Sequence, residues 1–304
     1  MLQQTQVSRV VESFNAFRRR FPNLQALAAA HEEDVLAAWS GLGYYRRARH
    51  LHRAAKSICD RFGGRVPRRK EDLVSLPGVG RYTAGAIASI GFNERIATVD
   101  GNISRVLLRI TGCATSPEAA ETQATVWAAA EALVQRACEP AVLNEGLMEL
   151  GALICTASSP RCGNCPLAHA CVAHRTGRES RIPLPRQSPQ WKIAHHHAVV
   201  VRRRDLILLE RRGDRGLWAG MWQVPTIEAD RVLTLDEVKM QLGVKVERLF
   251  PASRFEHRIT HRRITFHVFW ARSRAKMGNW QPPSGYQSLP MANPQRRILL
   301  EFMA

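Results

Sequence analysis

Cys155, Cys162, Cys165 and Cys171 stand in a C-x6-C-x2-C-x5-C pattern within CTASSPRCGNCPLAHAC. Four thiolates this close along the chain can wrap a single metal centre. Zinc sites usually pair two C-x2-C units across a longer insert, and the ferredoxin run C-x2-C-x2-C-x3-C is spaced differently as well. The spacing points to a [4Fe–4S] cluster of mainly structural role, ahead of zinc, with Arg161 on its loop available to a phosphate. The remaining three of seven cysteines, Cys59, Cys113 and Cys138, are scattered among apolar residues and read as buried thiols. An odd count argues against a disulfide framework.

Two further stretches carry chemistry. LPGVGRYTAGAI, from Leu76 to Ile87, sets Gly78 and Gly80 in a tight turn between two helices. Such a turn exposes backbone N–H groups at a helix start, where unpaired donors and the helix dipole hold an anion. A phosphate gripped this way fixes register without reading sequence. Downstream of Tyr82, TVDGNISRVL places Asp100 between a strand-like IATV and a helix from Ile103 to Ile110. Asp100 can cap that helix, or, buried beside apolar residues, stabilise a developing cation.

These residues need elements to hold them. Up to about residue 172 the chain reads as helices joined by short loops. In YYRRARHLHRAAKSICDRFGG, Ala48, Leu51, Ala55 and Ile58 share a face, and Gly63-Gly64 ends the helix. SPEAAETQATVWAAAEALVQRA is expected to start with Ser116 as N-cap and Pro117 at the first helical position. LNEGLMELGALIC carries Leu143, Leu147, Leu150 and Ile154. After Cys171 the texture changes: GRESRIPLPRQSPQWK is proline-rich and reads as an extended linker. Beyond it HHHAVVV, LILLERR and RRITFHVFWA read as strands, and LTLDEVKMQLG and NPQRRILLEFM as helices. The expected organisation is a mainly α domain over 1–174, a linker over 175–193 and an α+β domain over 194–304. Alternation along HHH at 195–197 sends neighbours to opposite faces, which disfavours a metal there.

Bulk composition narrows the partner. The 304 residues carry a net charge of +18, with basic residues spread along the chain from Arg18–Arg20 to Arg262 and Arg263. That surplus favours a polyanion, nucleic acid ahead of membrane. No apolar run is long enough to span a bilayer, and the N-terminus lacks a signal-peptide layout, so a soluble, cytoplasmic, nucleoid-associated monomer is expected.

The order MLQQTQV, GLGYYRRARHLH, LPGVGRYTAGAI, VDGN, NEGLMELGALICT and the cysteine pattern resembles the adenine DNA glycosylases (MutY type) of the helix-hairpin-helix superfamily. GLWAGMWQVP, Gly216 to Pro225, is similar to that family's second, Nudix-like domain. The resemblance implies a helix-hairpin-helix glycosylase domain with a [4Fe–4S] loop, followed by a Nudix-like lesion-recognition domain. It implies base excision repair of double-stranded DNA: adenine opposite 8-oxoguanine, or opposite guanine, is extruded and its N-glycosidic bond is cut. By the same resemblance Gln4 and Tyr44 wedge into the vacated stack, and Glu145 faces the flipped adenine. Asp100 stabilises the oxocarbenium-like sugar, with Tyr82 and Asn102 positioning that chemistry. Ile259, Thr260 and His261 match the family's reader of 8-oxoguanine, with Ile and Thr departing from its Phe-Ser-His.

The resemblance also sets limits. Where the similar endonuclease III type has an attacking lysine, this chain has Tyr82, and a phenol forms no Schiff base. Base removal without lysine-dependent strand cutting is therefore expected. The second domain has only Asp236 and Glu237 adjacent in its helix, so no nucleotide hydrolysis is expected. The family's general acid, a glutamate two residues before the Met of MLQQT, has no position here, because Met1 is that residue. A lesion-binding protein impaired in excision is accordingly the alternative to an active glycosylase.

Overall fold

The computed structural model describes residues 1–2, 5, 7–185, 190–259, 261–282 and 284–302. Packing divides the chain into two compact units: Arg53–Ser188, and Met1–His52 together with Pro189–Ala304. The grouping differs from chain order, since the first fifty or so residues fold with the second domain rather than with the helices that follow them.

The helical unit takes the end of α4 (Arg46–Phe62), then α5 (Lys70–Val74), α6 (Arg81–Phe92), α7 (Gly101–Thr111), α8 (Ala120–Arg136), α9 (Pro140–Glu149) and α10 (Val172–Arg175). Helix α4 buries Ala48, Ala55 and Ile58 but leaves Leu51 exposed. It stops where expected: Gly63 and Gly64 take positive φ, and the Gly64 N–H returns to the Ile58 carbonyl at 3.1 Å. Ile103, Val106, Leu107 and Leu108 of α7 are fully buried against Val126, Trp127 and Ala130 of α8 and Leu147 of α9. Helix α7 is therefore the central post of this unit.

Three expectations are corrected here. Helix α8 starts at Ala120, not after Ser116: the Ser116 hydroxyl accepts from the Glu118 N–H at 3.4 Å, which closes a local turn before the helix begins. IATV forms no strand. Residues 96–99 run as an extended strap. Among the lone cysteines, Cys138 is exposed and Cys59 and Cys113 are half-buried, so none is a core thiol.

In the other unit, β1 (Lys192–Arg203), β2 (Leu206–Arg211), β3 (Trp222–Gln223), β4 (Thr226–Ala229), β5 (Leu249–Ile259), β6 (Arg262–Arg272) and β7 (Asn279–Gln281) form one mixed sheet. Its order is β3-β2-β1-β6-β5, with β4 on β1 and β7 on β2, and β1 runs parallel to β6. Helix α12 (Asn293–Glu301) covers one face over Val200, Phe266 and Val268; α11 (Leu235–Gln241) covers the other over Val199, Val201 and Phe269. Burial on both faces explains why β1 reads as an unbroken apolar run rather than an alternation. The expected strands and helices of this domain all form.

The chain's first helices, α1 (Val7–Arg20), α2 (Leu24–Ala29) and α3 (Glu32–Ala38), pack around Phe17, Phe21 and Trp39. They are tied to the sheet domain by polar contacts. The Trp222 indole donates to Glu33 at 2.6 Å, the Tyr45 hydroxyl to the Met291 carbonyl at 3.1 Å, and Arg49 to Glu32 and to the Ala219 carbonyl.

Candidate functional site

Asp100 is the N-cap of α7. Its Oδ1 accepts from the Ile103 N–H at 2.8 Å and its Oδ2 from the Asn102 amide at 3.0 Å. One oxygen is thus fixed by the helix and the other by a neighbouring side chain, and the carboxylate is held at the positive end of the helix that carries the core. Asn102 is held in turn: its Oδ1 accepts from Arg105 at 2.9 Å. Arg105 also donates to the Gly151 carbonyl and, at 2.7 Å, to the Cys155 carbonyl. A chain of hydrogen bonds therefore runs from the carboxylate to the first cysteine of the cluster loop.

The strap before Asp100 is fixed as firmly. Asn144, fully buried on α9, accepts from the Thr98 N–H and donates to the Ile96 carbonyl and to Ser89 of α6. Thr98 donates to the Tyr82 carbonyl at 3.1 Å. Two glycines permit the closeness. A Cβ on Gly85 would lie 2.3 Å from the Ala97 carbonyl oxygen, and one on Gly151 would lie 2.7 Å from Asn102. Tyr82 is half-buried; burial first, and the Asp100 charge second, push its phenol above the usual tyrosine range, so it stays protonated. The structure thereby brings Tyr82, Asp100 and Asn102 together. Glu145 is exposed on α9, one residue from the buried Asn144.

The hairpin is α5, a turn, and α6. Gly78 needs to be glycine, with φ at 78°, whereas Gly80 is extended and its missing Cβ faces open space. No side chain caps the start of α6, so the first-turn donors are left for an outside acceptor. Arg81 beside them stacks on Trp127 at 3.8 Å and pairs with Glu131 at 2.8 Å.

The four cysteines of the loop are all partly exposed. Cys155, Cys165 and Cys171 pack on the helical core, and α9 runs into Cys155 through a π turn, Leu150–Ile154. The Cys162 thiol is pushed up, first by burial and then by the charges of Glu179, Cys155 and Cys171. Arg109, buried, donates to Cys155 Sγ at 3.3 Å. Four soft donors beside a buried cation fit an anionic thiolate-bound cluster. Arg161 is exposed and donates to the Leu153 carbonyl of its own loop.

In the other unit Tyr44 stands exposed with φ at 46°, an unfavourable backbone state for an aromatic residue and one found at functional positions. Arg47 lies over its ring. Gln4 and Thr260 lie outside the described residues. Ile259 ends β5 and pairs with Arg262, and His261 is exposed in the turn, so these positions form a hairpin tip rather than the start of an inner strand. In α11, Glu237 is taken up by Arg231 and by a capping box with Thr234, and its carboxyl is held down to about 2 by the Arg231 partner. Alternation puts His196 against Phe266 and Trp218, and His195 and His197 with His267 on the opposite face.

Sequence reasoning missed Asn144, Arg105, Arg109 and the two close-approach glycines. A signal existed for some of them. Gly85 and Gly151 interrupt helical patterns, which usually has a packing reason, and SRVLLRI sets two arginines four apart in an apolar helix.

A hairpin, a capped carboxylate at the head of a central helix and a four-cysteine loop on its tail define a helix-hairpin-helix base-excision scaffold, here joined to a Nudix-like sheet domain. The comparisons agree. Residues 1–132 match the HhH-GPD superfamily base excision DNA repair proteins, 155–171 the iron-sulfur binding domain of endonuclease III, and 196–301 the NUDIX domain. The adenine DNA glycosylase of Buchnera aphidicola (subsp. Baizongia pistaciae) is 31% identical over 275 residues, covering 89% of this chain and 76% of that protein. The rat adenine DNA glycosylase is 37% identical over 272 residues, covering 75% and 52%. A solved thermostable thymine-DNA glycosylase superposes with a TM-score of 0.51 at 25% identity, over 58% of this chain and 80% of that one. The chain belongs to the adenine DNA glycosylase family. It spans 52% of the rat relative's length and 62% of the mouse relative's. The match over 155–171, the span of the four-cysteine loop, shows that the chain carries a [4Fe–4S] cluster.

Proposed function

We propose that this protein is a monofunctional adenine DNA glycosylase of base excision repair, acting as a monomer on adenine opposite 8-oxoguanine or guanine. The observation that carries the reading is the Asp100 carboxylate, fixed through both oxygens next to a protonated Tyr82 in a chain of this family. As the N-glycosidic bond lengthens, positive charge grows on the sugar. A preorganised carboxylate stabilises it without having to reorient. Asn102 keeps Asp100 aimed, and the Tyr82 hydroxyl is the donor beside it. The hairpin grips phosphate through the uncapped start of α6, and Gly80 leaves the backbone bare for that approach. Glu145 meets the extruded adenine, Gln4 and Tyr44 fill the gap it leaves, and Ile259, Thr260 and His261 read the oxidised guanine. The cluster braces the loop against α7; Arg105 joins that loop to Asn102.

The test is incubation of the purified chain with a duplex containing adenine opposite 8-oxoguanine, followed by alkali to reveal abasic sites. Alkali-dependent nicking is expected, with no covalent adduct on borohydride reduction. Binding without nicking would instead support the lesion-binding alternative, and a borohydride-trapped adduct would remove the monofunctional reading.

A further inference from the structure

We infer that Arg109 is the counter-charge of the iron–sulfur centre, a cation buried to face the thiolates rather than any carboxylate. Arg109 sits in the last turn of α7 and is 2% exposed. Four of its five donors go to the segments that frame the cluster loop: Nε to the Ile182 carbonyl at 2.7 Å, Nη1 to the Thr156 carbonyl at 2.7 Å and to Cys155 Sγ at 3.3 Å, and Nη2 to the Ala157 carbonyl at 3.3 Å. Among the described residues no acidic side chain pairs with it. A guanidinium does not give up its proton in a protein, so burial cannot neutralise it. A buried charge without a partner is strongly disfavoured, and carbonyl dipoles supply only part of what a counter-ion would. A [4Fe–4S] core on four thiolates is a net anion. It is the anion at hand, because Cys155 Sγ already accepts a hydrogen bond from Arg109 Nη1 and Cys171 Sγ lies 3.4 Å from the Arg109 backbone carbonyl. One residue therefore touches both the first and the last cysteine of the loop, and meets the first with its charged group.

The far side of the loop has the opposite character. Cys162 lies beside Glu179, which is hydrogen-bonded to His174 at 2.7 Å, and the donor atoms of the three lie within 4.8 Å of one another. The centre thus has a cationic buried side and an exposed side that carries a carboxylate. Charge and hydrogen bonds at the sulfurs set the reduction potential of such centres. Arg109 holds this one at a higher potential than the loop alone would give.

The inference rests on the cluster and not on the adenine chemistry, and its test reads no excision. Arg109→Lys keeps the charge and loses the fork; Arg109→Gln keeps hydrogen bonding and loses the charge. In full-length holoprotein the potential is measured by spectroelectrochemistry, and cluster retention by the decay of the absorbance near ~400 nm under an iron chelator. The lysine variant is expected to keep the wild-type potential and to lose cluster within about twofold of the wild-type rate. The glutamine variant is expected to shift to a more negative potential and to lose cluster about 10–100-fold faster, the usual range for outer-shell changes. A glutamine variant with wild-type potential and retention would overturn the assignment. So would a lysine variant that loses the cluster as fast as glutamine does or fails to fold, because the charge is still present there.

Discussion

At the scale of single residues, the cap that Asp100 makes is compatible with the catalytic role proposed for it. Its Oδ1 is the helix cap and its Oδ2 is aimed by Asn102. The cap is what gives the carboxylate a fixed direction, as the proposed chemistry requires. A substitution that keeps the cap and removes the charge separates them. Asn caps about as well as Asp, so Asp100→Asn should leave the melting temperature nearly unchanged and keep lesion-duplex affinity. Single-turnover excision should fall to background. Persistent excision would make Asp100 a cap only. Asn102→Ala removes the donor to Oδ2 and the acceptor of Arg105. Freed to rotate, the carboxylate loses alignment, and a misplacement of that order costs roughly 100-fold in rate. The single-turnover rate at saturating enzyme checks this, and an unchanged rate would show that Oδ1 alone holds the orientation.

At the scale of elements, the site depends on three segments coming closer than side chains allow. Gly85 lets α6 touch the 96–98 strap, and Gly151 lets the π turn touch the start of α7. Periodicity revealed the helices but not this closeness, because a glycine in a helical pattern is silent about its neighbour until the partner is known. Ser116 misled for a related reason: its hydroxyl chose a local turn over a helix cap, and both choices look alike in sequence. Gly151→Ala should cost about 1–3 kcal/mol, the usual price of overpacking against backbone, and should lower excision further by pushing Asn102. Gly85→Ala should cost a similar amount, about 1–3 kcal/mol, acting on the strap instead. Urea titration measures both, and a neutral Gly151→Ala would mean that the π turn yields freely. In the sheet, alternation was legible and its consequence is acid lability. Burial lowers His196 and His267 from 6.5 to about 4, and lowers His197 as well. These groups bind protons more weakly folded than unfolded, so stability is full above pH 6.5 and is lost as pH falls from there toward 4. His196 sits between Trp218 and Phe266 with its Nδ1 unpartnered. His196→Phe should flatten the decline of the urea midpoint across that window. A decline as steep as wild type would assign the lability elsewhere.

At the scale of the whole molecule, chain order and packing disagree, and the disagreement is where sequence reading stopped. Motifs place residues along a line. They carried the family and the cluster, yet they could not show that Met1–His52 closes on the sheet domain. The contacts responsible join residues far apart in sequence: Glu33 with Trp222, Tyr45 with Met291, Arg49 with Ala219. Nothing in GLGYYRRARHLH announces a partner beyond residue 215. Charge behaves differently, because a net +18 is a property of the sum and needs no fold to be read. It predicts DNA affinity that falls linearly on a log–log salt plot with a slope of about 0.9 per phosphate contact, which fluorescence anisotropy from low to physiological salt would measure. A flat plot would deny the phosphate grip. The packing gives a prediction of its own. A fragment of residues 194–304 contains the full NUDIX match at 196–301 but leaves Trp222 and Met291 without their polar partners. One charge-assisted and one neutral hydrogen bond contribute together about 2–4 kcal/mol. For a domain of this size that is a thermal midpoint lower by on the order of 10 °C than that of the same domain in the full chain. Calorimetry of both proteins, with tryptophan emission to report Trp222, decides it. A fragment that melts with the parent would show that the first helices rest on the sheet without holding it.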